Sequence, residues 1–364
     1  MAVATRAKHL MTEPAQPLLE HLRAELREPG LGYAEPLTPM TGGYDTRIFA
    51  FRLSGAPEPF SIPLILRVLG SQHPPARVLS ERTAQNTVAG LGYPAPRVLL
   101  ASPDATILGG AFLIMERLAG RPLLDARRLG VASVLVEMQL RLHALDAEVL
   151  LLALDREGQT SSAAGGPPIS RELVTFESHL ARLERRIARG SLRGLEKAIV
   201  WFSDHRPMDE RRRVICHGDF HPQNILMTDG RVTGVIDWPN VIVADPAFDV
   251  ASTRVILDLV PVGLLGVPPA LRGLVEVARR ILVARYLSLY RRRQPLDAAR
   301  LAYYEALACM RGLVRTAEAR LASIGESGLN PLDASGFGEQ LAARFARITG
   351  VMPRLPAVPQ LRRR

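Results

Sequence analysis

Asp219, Asn224 and Asp237 are the residues whose types and spacing carry the clearest chemistry in this sequence. They lie in VICHGDFHPQNILMTDGRVTGVIDWPNVIVADPAFDVA, residues 214–251. Asp219 and Asn224 sit five apart on a stretch broken by Pro222, which has no backbone N–H to give to a regular ladder. Asp237 follows eighteen residues after Asp219, at the end of a short apolar run. Between them TDGR (228–231) predicts a tight turn joining two strands, because Asp and Gly accept the backbone such turns need. That layout brings Asp237 back beside the Asp219–Asn224 loop. Two carboxylates and an amide oxygen converging on one point suit a hard cation such as Mg²⁺. Phosphoryl transfer calls for this set: one Asp takes or orients the proton of an attacking hydroxyl, while an Asn and a second Asp hold the metal against phosphates. Asp219 is then the candidate base, and Asn224 and Asp237 are the candidate metal ligands. A carboxylate with a pKa near ~4 is a weak base for an alcohol, so positioning has to carry the proton transfer.

The elements that position these residues follow from pattern. Residues 17–26 have apolar side chains at helical spacing, and 36–53 read as strand, glycine turn, strand. SIPLILRVL (61–69) is a β-branched strand carrying one charge, Arg67. A helix is expected over 77–89 with Glu81 in its first turns, then strands around 97–100 and 111–118, joined by a hairpin-like turn at Ser102–Asp104. From there the pattern turns helical: 129–145, 172–188, 192–203, 270–291, 297–318 and 335–348. GQTSSAAGGPPIS (158–170) reads as a linker or surface loop, and the chain leaves through a proline-rich stretch at Pro353–Pro359. The expected class is α+β: a small antiparallel-sheet lobe with one inserted helix over 1–118, a hinge near 117–122, and a large, mostly helical lobe over 119–364.

Composition narrows the function classes. A chain of 364 residues, 47% hydrophobic and 23% charged, can bury a substantial core. Two cysteines far apart exclude a disulfide-stapled module. The N-terminus lacks the apolar core of a signal peptide, and the longest apolar region, 255–277, is broken by Asp258, Arg272, Glu276 and prolines. A cytoplasmic protein without a membrane partner is expected. The net charge of +10 is almost all arginine, with lysine only at Lys8 and Lys197. It is scattered, and aromatics are 5% with no stacking platform, so nucleic acid is not the expected partner.

The segment HGDFHPQNIL, followed by VIDW and ADPAFDVA, resembles the aminoglycoside phosphotransferase and choline-kinase-like branch of the protein-kinase-like superfamily. The resemblance extends over roughly 35–310. It implies a two-lobed kinase-like fold and ATP-dependent O-phosphotransfer to a small hydroxylated molecule, with Mg²⁺ as cofactor and GTP left open as donor. It places Asp219 as the base, His217 and Gly218 shaping its loop, and Asn224 and Asp237 on the metal. Asp245 and Asp249 match residues that brace the catalytic loop and the next helix. Met115 and Glu116 match the adenine-contacting hinge, and Gly42 and Gly43 a short glycine turn over the phosphates. The phosphate-anchoring lysine of protein kinases is replaced by Arg67, with Glu81 as its helix partner. Arginine at this position resembles the acyl-CoA-dehydrogenase-associated phosphotransferases. The candidate catalytic set is therefore Asp219, His217 and His221, the last able to touch substrate or phosphate.

Ordinary roles stand beside these. The Asp–Asn–Asp set would be a capped turn network, His217 and His221 loop braces, Asp245 and Asp249 helix caps. Arg67 with Glu81 would be a plain ion pair, Gly42–Gly43 a hairpin turn, Cys216 a buried thiol and Trp238 a packing residue. For the acceptor, 171–180, the loop after Trp238 and the helices near Tyr286 and Tyr303 are candidate walls. Arg279, Arg280, Arg285 and Arg291–Arg293 favour a neutral or anionic acceptor over a polycation. A catalytically weak nucleotide-binding or scaffold protein and an aminoglycoside or macrolide phosphotransferase are the alternatives. A monomer and a homodimer are both compatible with the apolar C-terminal helices.

Overall fold

The computed structural model describes residues 14–40, 46–70, 73–125, 130–207, 212–259, 270, 272–322 and 336–357. The chain forms two compact units. One comprises Met1–Arg127, Asp146–Leu173 and Gln223–Pro239; the other comprises Arg128–Leu145, Val174–Pro222 and Asn240–Arg364. The glycine turn at Gly42 and Gly43 lies outside the described residues.

The first unit is built on a five-stranded sheet of β1 (Gly32–Pro39), β2 (Thr46–Ser54), β3 (Leu64–Leu69), β4 (Val98–Ser102) and β5 (Phe112–Glu116), in the order β1-β2-β3-β5-β4. All neighbours are antiparallel. Alternation along β3 separates its two faces. Leu64, Leu66 and Val68 join Phe49, Phe51, Phe112 and Ile114 in a core closed by Leu18 and Leu22 of helix α1 (Ala15–Leu26). Arg67 therefore falls on the opposite face, although it too is buried. Helix α2 (Ala76–Gly90) is the inserted helix, burying Val78, Glu81, Ala84, Gln85 and Val88 at three- and four-residue steps. The expected hairpin-like turn at Ser102–Asp104 instead opens into a one-turn helix, α3 (Ala105–Leu108). The Asp104 carboxylate accepts the Thr106 N–H at 2.8 Å there, a cap that a short Ser-Pro-Asp turn reading overlooks.

A second, three-stranded sheet in this unit joins β6 (Arg121–Pro122), β8 (Ile225–Thr228) and β9 (Arg231–Val235). Its hairpin turns at Asp229 and Gly230, with φ of 48° and 75°, the two left-handed residues that a tight hairpin with native twist requires.

The polar stretch 158–170 is not all linker. Helix α5 (Ala147–Ala163) runs through its first six residues. Three leucines, Leu150, Leu151 and Leu154, anchor it, and Gln159–Ser162 continue as its last turn. Gly158 explains why the sequence looks like a break: a Cβ there would lie 2.0 Å from the carbonyl oxygen of Ile169, where the chain passes back across the helix. The helix starts at Asp146, whose carboxylate accepts the Glu148 N–H at 2.9 Å. Asp146→Ala is expected to cost about 1 kcal/mol, read as a lower urea midpoint at unchanged slope.

The second unit is mainly helical. It contains α4 (Val131–His143), α6 (Phe176–Arg189), α7 (Glu196–Asp204), α8 (Ala247–Leu259), α9 (Arg272–Arg293), α10 (Ala298–Ala322) and α11 (Phe337–Thr349). A two-stranded antiparallel ribbon, β7 (Val214–Cys216) with β10 (Ile242–Ala244), runs through it in the register Val214↔Ala244 and Cys216↔Ile242. A sheet-based unit with one inserted helix and a mainly helical unit give the α+β, protein-kinase-like architecture. No described helix is long and apolar enough to cross a membrane.

Candidate active site

In the first unit, register brings two expected metal ligands together. The β8–β9 hairpin pairs Ile225 with Val235, and Ile236 N–H donates to the carbonyl of Asn224 at 2.9 Å. Asp237 follows directly, so the turn at Asp229–Gly230 returns it to Asn224. Asn224 is 8% exposed, whereas the Asp237 side chain is 46% exposed. Asp237 has φ of 69°, a left-handed conformation that Asp tolerates better than most side chains and that turns the chain sharply after the strand. Trp238 anchors the turn: it is fully buried, its Nε1–H donates to Val235 O at 2.8 Å, and it meets Tyr93 edge-on.

The Arg67 guanidinium binds the Glu81 carboxylate across β3 and α2, and both are buried. Arg67 Nη1 also lies 3.9 Å from Asp237 Oδ1. The structure thus brings together Arg67, Glu81, Asp237 and, through the hairpin, Asn224. Arg67→Met leaves Glu81 buried without its cation and is expected to destabilise the protein by about 3–5 kcal/mol. The double variant Arg67→Met/Glu81→Met should recover most of that loss in urea unfolding, which a pair acting independently would not. Met115 lies on β5 opposite Ile65 and Val98 and is 8% exposed, with its sulfur 3.7 Å from Gln85 Nε2. Glu116 accepts the Arg97 N–H at 3.0 Å, which ties the end of β5 to the start of β4.

In the second unit, Asp219 follows β7 on a tightly held loop. Its N–H donates to His217 Nδ1 at 3.3 Å, and His221 Nε2 lies 3.7 Å from its Oδ1. Asp219 and His221 are about a quarter and a fifth exposed, while His217 is fully buried beside Phe220. Gly218 has φ of 78°, and a Cβ there would sit 2.3 Å from Asn240 O. Only glycine lets the loop pass that carbonyl.

Asp249, in the first turn of α8, holds this loop from below. Its two oxygens accept the N–H groups of His217 at 2.9 Å and Gly218 at 2.7 Å, and His143 Nε2 lies 3.3 Å away. Burial alone would raise its pKa. The hydrogen bond and field of His143, the field of His217 and the Gly218 N–H outweigh it and hold the carboxyl below its usual range. Asp245 takes a different part: it accepts the Ala247 N–H at 2.8 Å as a cap of α8 and pairs with Arg300 at 2.9 Å. Cys216 is a buried thiol whose pKa is pushed up by burial and by the neighbouring Asp249 and Asp245, so it is no nucleophile.

Two loop-holding residues went unread in the sequence. His143 links Asp249 to the Tyr290 hydroxyl, at 2.8 Å from its Nδ1. Arg311, on α10, donates to the Gly218 carbonyl at 2.8 Å and lies over the Phe248 ring. Nothing local marks either, since Asp249 is 106 residues from His143 and Gly218 is 93 from Arg311. Of the expected acceptor walls, Tyr286 and Tyr303 point inward: the Tyr286 hydroxyl donates to Gln139 and the Tyr303 hydroxyl to Phe202 O at 3.1 Å. Burial pushes the Tyr303 phenol up to about 12.

The sequence pattern of the phosphotransferase enzyme family matches residues 36–296. The chain is 28% identical over 193 residues to acyl-CoA dehydrogenase family member 11 of Rattus norvegicus, covering 50% of this chain and 23% of that protein. It is 27% identical over 216 residues to an aminoglycoside 3'-phosphotransferase of Streptomyces fradiae, covering 57% and 75%. The chain thus spans about a quarter of the length of the acyl-CoA dehydrogenase relatives it matches. Among solved structures it is similar to a thermostable mutant of the aminoglycoside phosphotransferase APH(4)-Ia in ternary complex with AMP-PNP and hygromycin B. That similarity has a TM-score of 0.54 at 16% identity, over 93% of this chain and 99% of the other. It is also similar to an aminoglycoside-3'-phosphotransferase of type VIII, with a TM-score of 0.53 at 23% identity over 81% and 99%.

Proposed function

We propose that this chain, which belongs to the phosphotransferase enzyme family, moves the γ-phosphoryl group of ATP to a hydroxyl of a small molecule. One observation carries the reading. The half-exposed carboxylate of Asp237 stands 3.9 Å from a buried arginine, itself fixed by Glu81. A site needing only structure would close that pair off; here a cation and an exposed acid share one face, as polyphosphate and its counter-ion require. The donors fit Mg²⁺. Asp237 and Asn224 offer only oxygen, one anionic and one amide, and Glu81 Oε2 is a further buried oxygen without a hydrogen-bond partner. When bound, the ion would neutralise phosphate charge. Arg67 would grip phosphate oxygens, and Asp219 would orient the acceptor hydroxyl and take its proton, with His217 setting the Asp219 backbone. His221 would contact the acceptor or the phosphate. Met115 and Glu116 would meet the adenine, and Gly42 and Gly43 would cover the phosphates.

The acceptor we infer is neutral or anionic. His179 is kept neutral by burial and by Arg311, Arg182 and Arg186, and Arg311 in turn lies in the field of Asp219. A polycation gains nothing there. We infer the acyl-CoA-dehydrogenase-associated branch from Arg67 at the phosphate-anchoring position, with an antibiotic phosphotransferase as the alternative: relatives named for each are similar at 28% and 27% identity. A cytoplasmic setting suits ATP.

Calorimetric titration of ATP, with and without Mg²⁺, on the wild type and Asp237→Asn tests the reading. Binding that needs Mg²⁺ in the wild type and falls at least tenfold in Asp237→Asn supports it and justifies screening hydroxylated acceptors by ADP release. Binding that ignores both the ion and the substitution would mean a nucleotide-binding scaffold instead.

A further inference from the structure

Helix α9 turns Val283, Tyr286, Leu287 and Tyr290 into the helical unit. Away from that face, Leu274, Val277 and Ile281 are 69, 54 and 62% exposed. The stripe continues in exposed Ala284 and Ser288. Its steps are three, four, three and four residues, the spacing of a seam on which a second helix lies. At about 100° per residue Ile281 and Val283 point in nearly opposite directions, so the stripe is no rim of the buried face. Three aliphatic side chains more than half in water, in line on one helix, are the signature of a covered surface.

The charge around the seam says what covers it. Helix α9 carries Arg272, Arg279, Arg280, Arg285 and Arg291–Arg293 against one acid, Glu276, which Arg279 and Arg280 already engage. Arg280, 77% exposed, and Arg285 fall at positions flanking the seam. At its C-terminal end Arg291 and Arg292 join Ala284, Leu287 and Ser288 around a surface depression of about 520 Å³. The small side chains of Ala284 and Ser288 let a partner backbone come close there.

We propose that this face docks an amphipathic helix of a partner protein whose apolar seam is flanked by Asp and Glu. A second copy of this chain would set two rows of arginine against each other. A bilayer surface calls for a broad apolar face, whereas this seam is a single narrow row with arginine on both sides. The docked helix buries the three aliphatic side chains and sets further acids beside Arg280, Arg285 and Arg292, on a helix whose one acid is Glu276.

The probe is a fluorescein-labelled three-heptad peptide with Leu along its seam and Glu at the flanks, titrated with the full chain by anisotropy. Saturable binding is expected, weakened at least tenfold in Ile281→Asp and in Arg280→Glu/Arg285→Glu. A Lys-flanked peptide should bind the charge-reversed variant and not the wild type. These positions are exposed, so circular dichroism and melting should be unchanged. Equal binding of a scrambled peptide, or no rescue by the Lys peptide, overturns the proposal. So does capture by phosphatidylserine vesicles that Ile281→Asp abolishes while the peptide fails to bind. A dimer in light scattering that Ile281→Asp dissolves would assign the face to a second copy.

Discussion

Asp219→Asn should lower kcat by about 10²- to 10⁴-fold while leaving Mg²⁺–ATP affinity within a factor of about three. The amide is nearly isosteric, and the loop is held through backbone groups, His217 N–H and Gly218 N–H on Asp249 and Gly218 O on Arg311, so the fold should not register the change. On the proposed reading, what is lost is the group that takes or orients the acceptor proton. A steady-state ADP-release assay beside a calorimetric ATP titration reads the two quantities separately. A parallel loss of both would make Asp219 part of nucleotide binding, and retention of full kcat would remove it from the chemistry. His221, 3.7 Å from the same carboxylate, gives an internal comparison. His221→Ala should act mainly on the acceptor KM if it faces substrate, and on neither parameter if it only braces the loop.

An effect on stability as large as that at Arg67 is expected at Asp249. Asp249→Ala removes the shared acceptor of two buried backbone N–H groups and of His143. Unpaired buried donors cost about 1–3 kcal/mol each, so a loss of roughly 3–5 kcal/mol is expected in urea unfolding. The loop carrying Asp219 should loosen with it, and kcat should fall although Asp249 is fully buried. The depressed carboxyl pKa adds a pH signature. The folded value lies below the ordinary 3.8, so the unfolded chain takes up protons first. The stabilisation is complete above about pH 3.8 and drains away as pH falls through the lower folded value. Wild-type stability should therefore drop steeply below about pH 3.8, and the drop should be shallower in Asp249→Ala by one proton's worth of slope.

Much of this site was legible because its signals are local. LILRVL alternates, so Arg67 had to face away from Leu64, Leu66 and Val68, and Glu81 fell within reach of it on the next helix. The Asp229–Gly230 turn specified the hairpin that returns Asp237 to Asn224. Trp238 as packing and Asp245 as a cap also follow from local pattern. What was illegible depends on distant partners. Helix α5 hides behind Gly158, which marks a crossing with Ile169 and not the end of a helix. Likewise, a histidine on an apolar helix and one arginine among many gave no hint that His143 and Arg311 meet the loop at Asp249 and Gly218. The directions of the Tyr286 and Tyr303 rings, on helices expected to wall the acceptor, were hidden for the same reason. The face each ring occupies is set by its hydroxyl partner, Gln139 for Tyr286 and Phe202 O for Tyr303.

The order in which the chain builds its two units has a consequence for biosynthesis. The chain passes from one unit to the other five times, and the sheet-based unit receives its last segment only at Gln223–Pro239. On the ribosome, the five strands of the larger sheet are all available once β5 has emerged. The hairpin that carries Asn224 and Asp237 is made more than a hundred residues later. A nascent chain can thus assemble the core around Phe51 and Ile114 early, yet it lacks Asn224 and Asp237 until Arg128–Leu145 and Val174–Pro222 of the helical unit have also been made. Nucleotide can then act as a checkpoint on completion of the sheet-based unit, favouring chains that have reached Asp237 while Asn240–Arg364 of the helical unit is still to come.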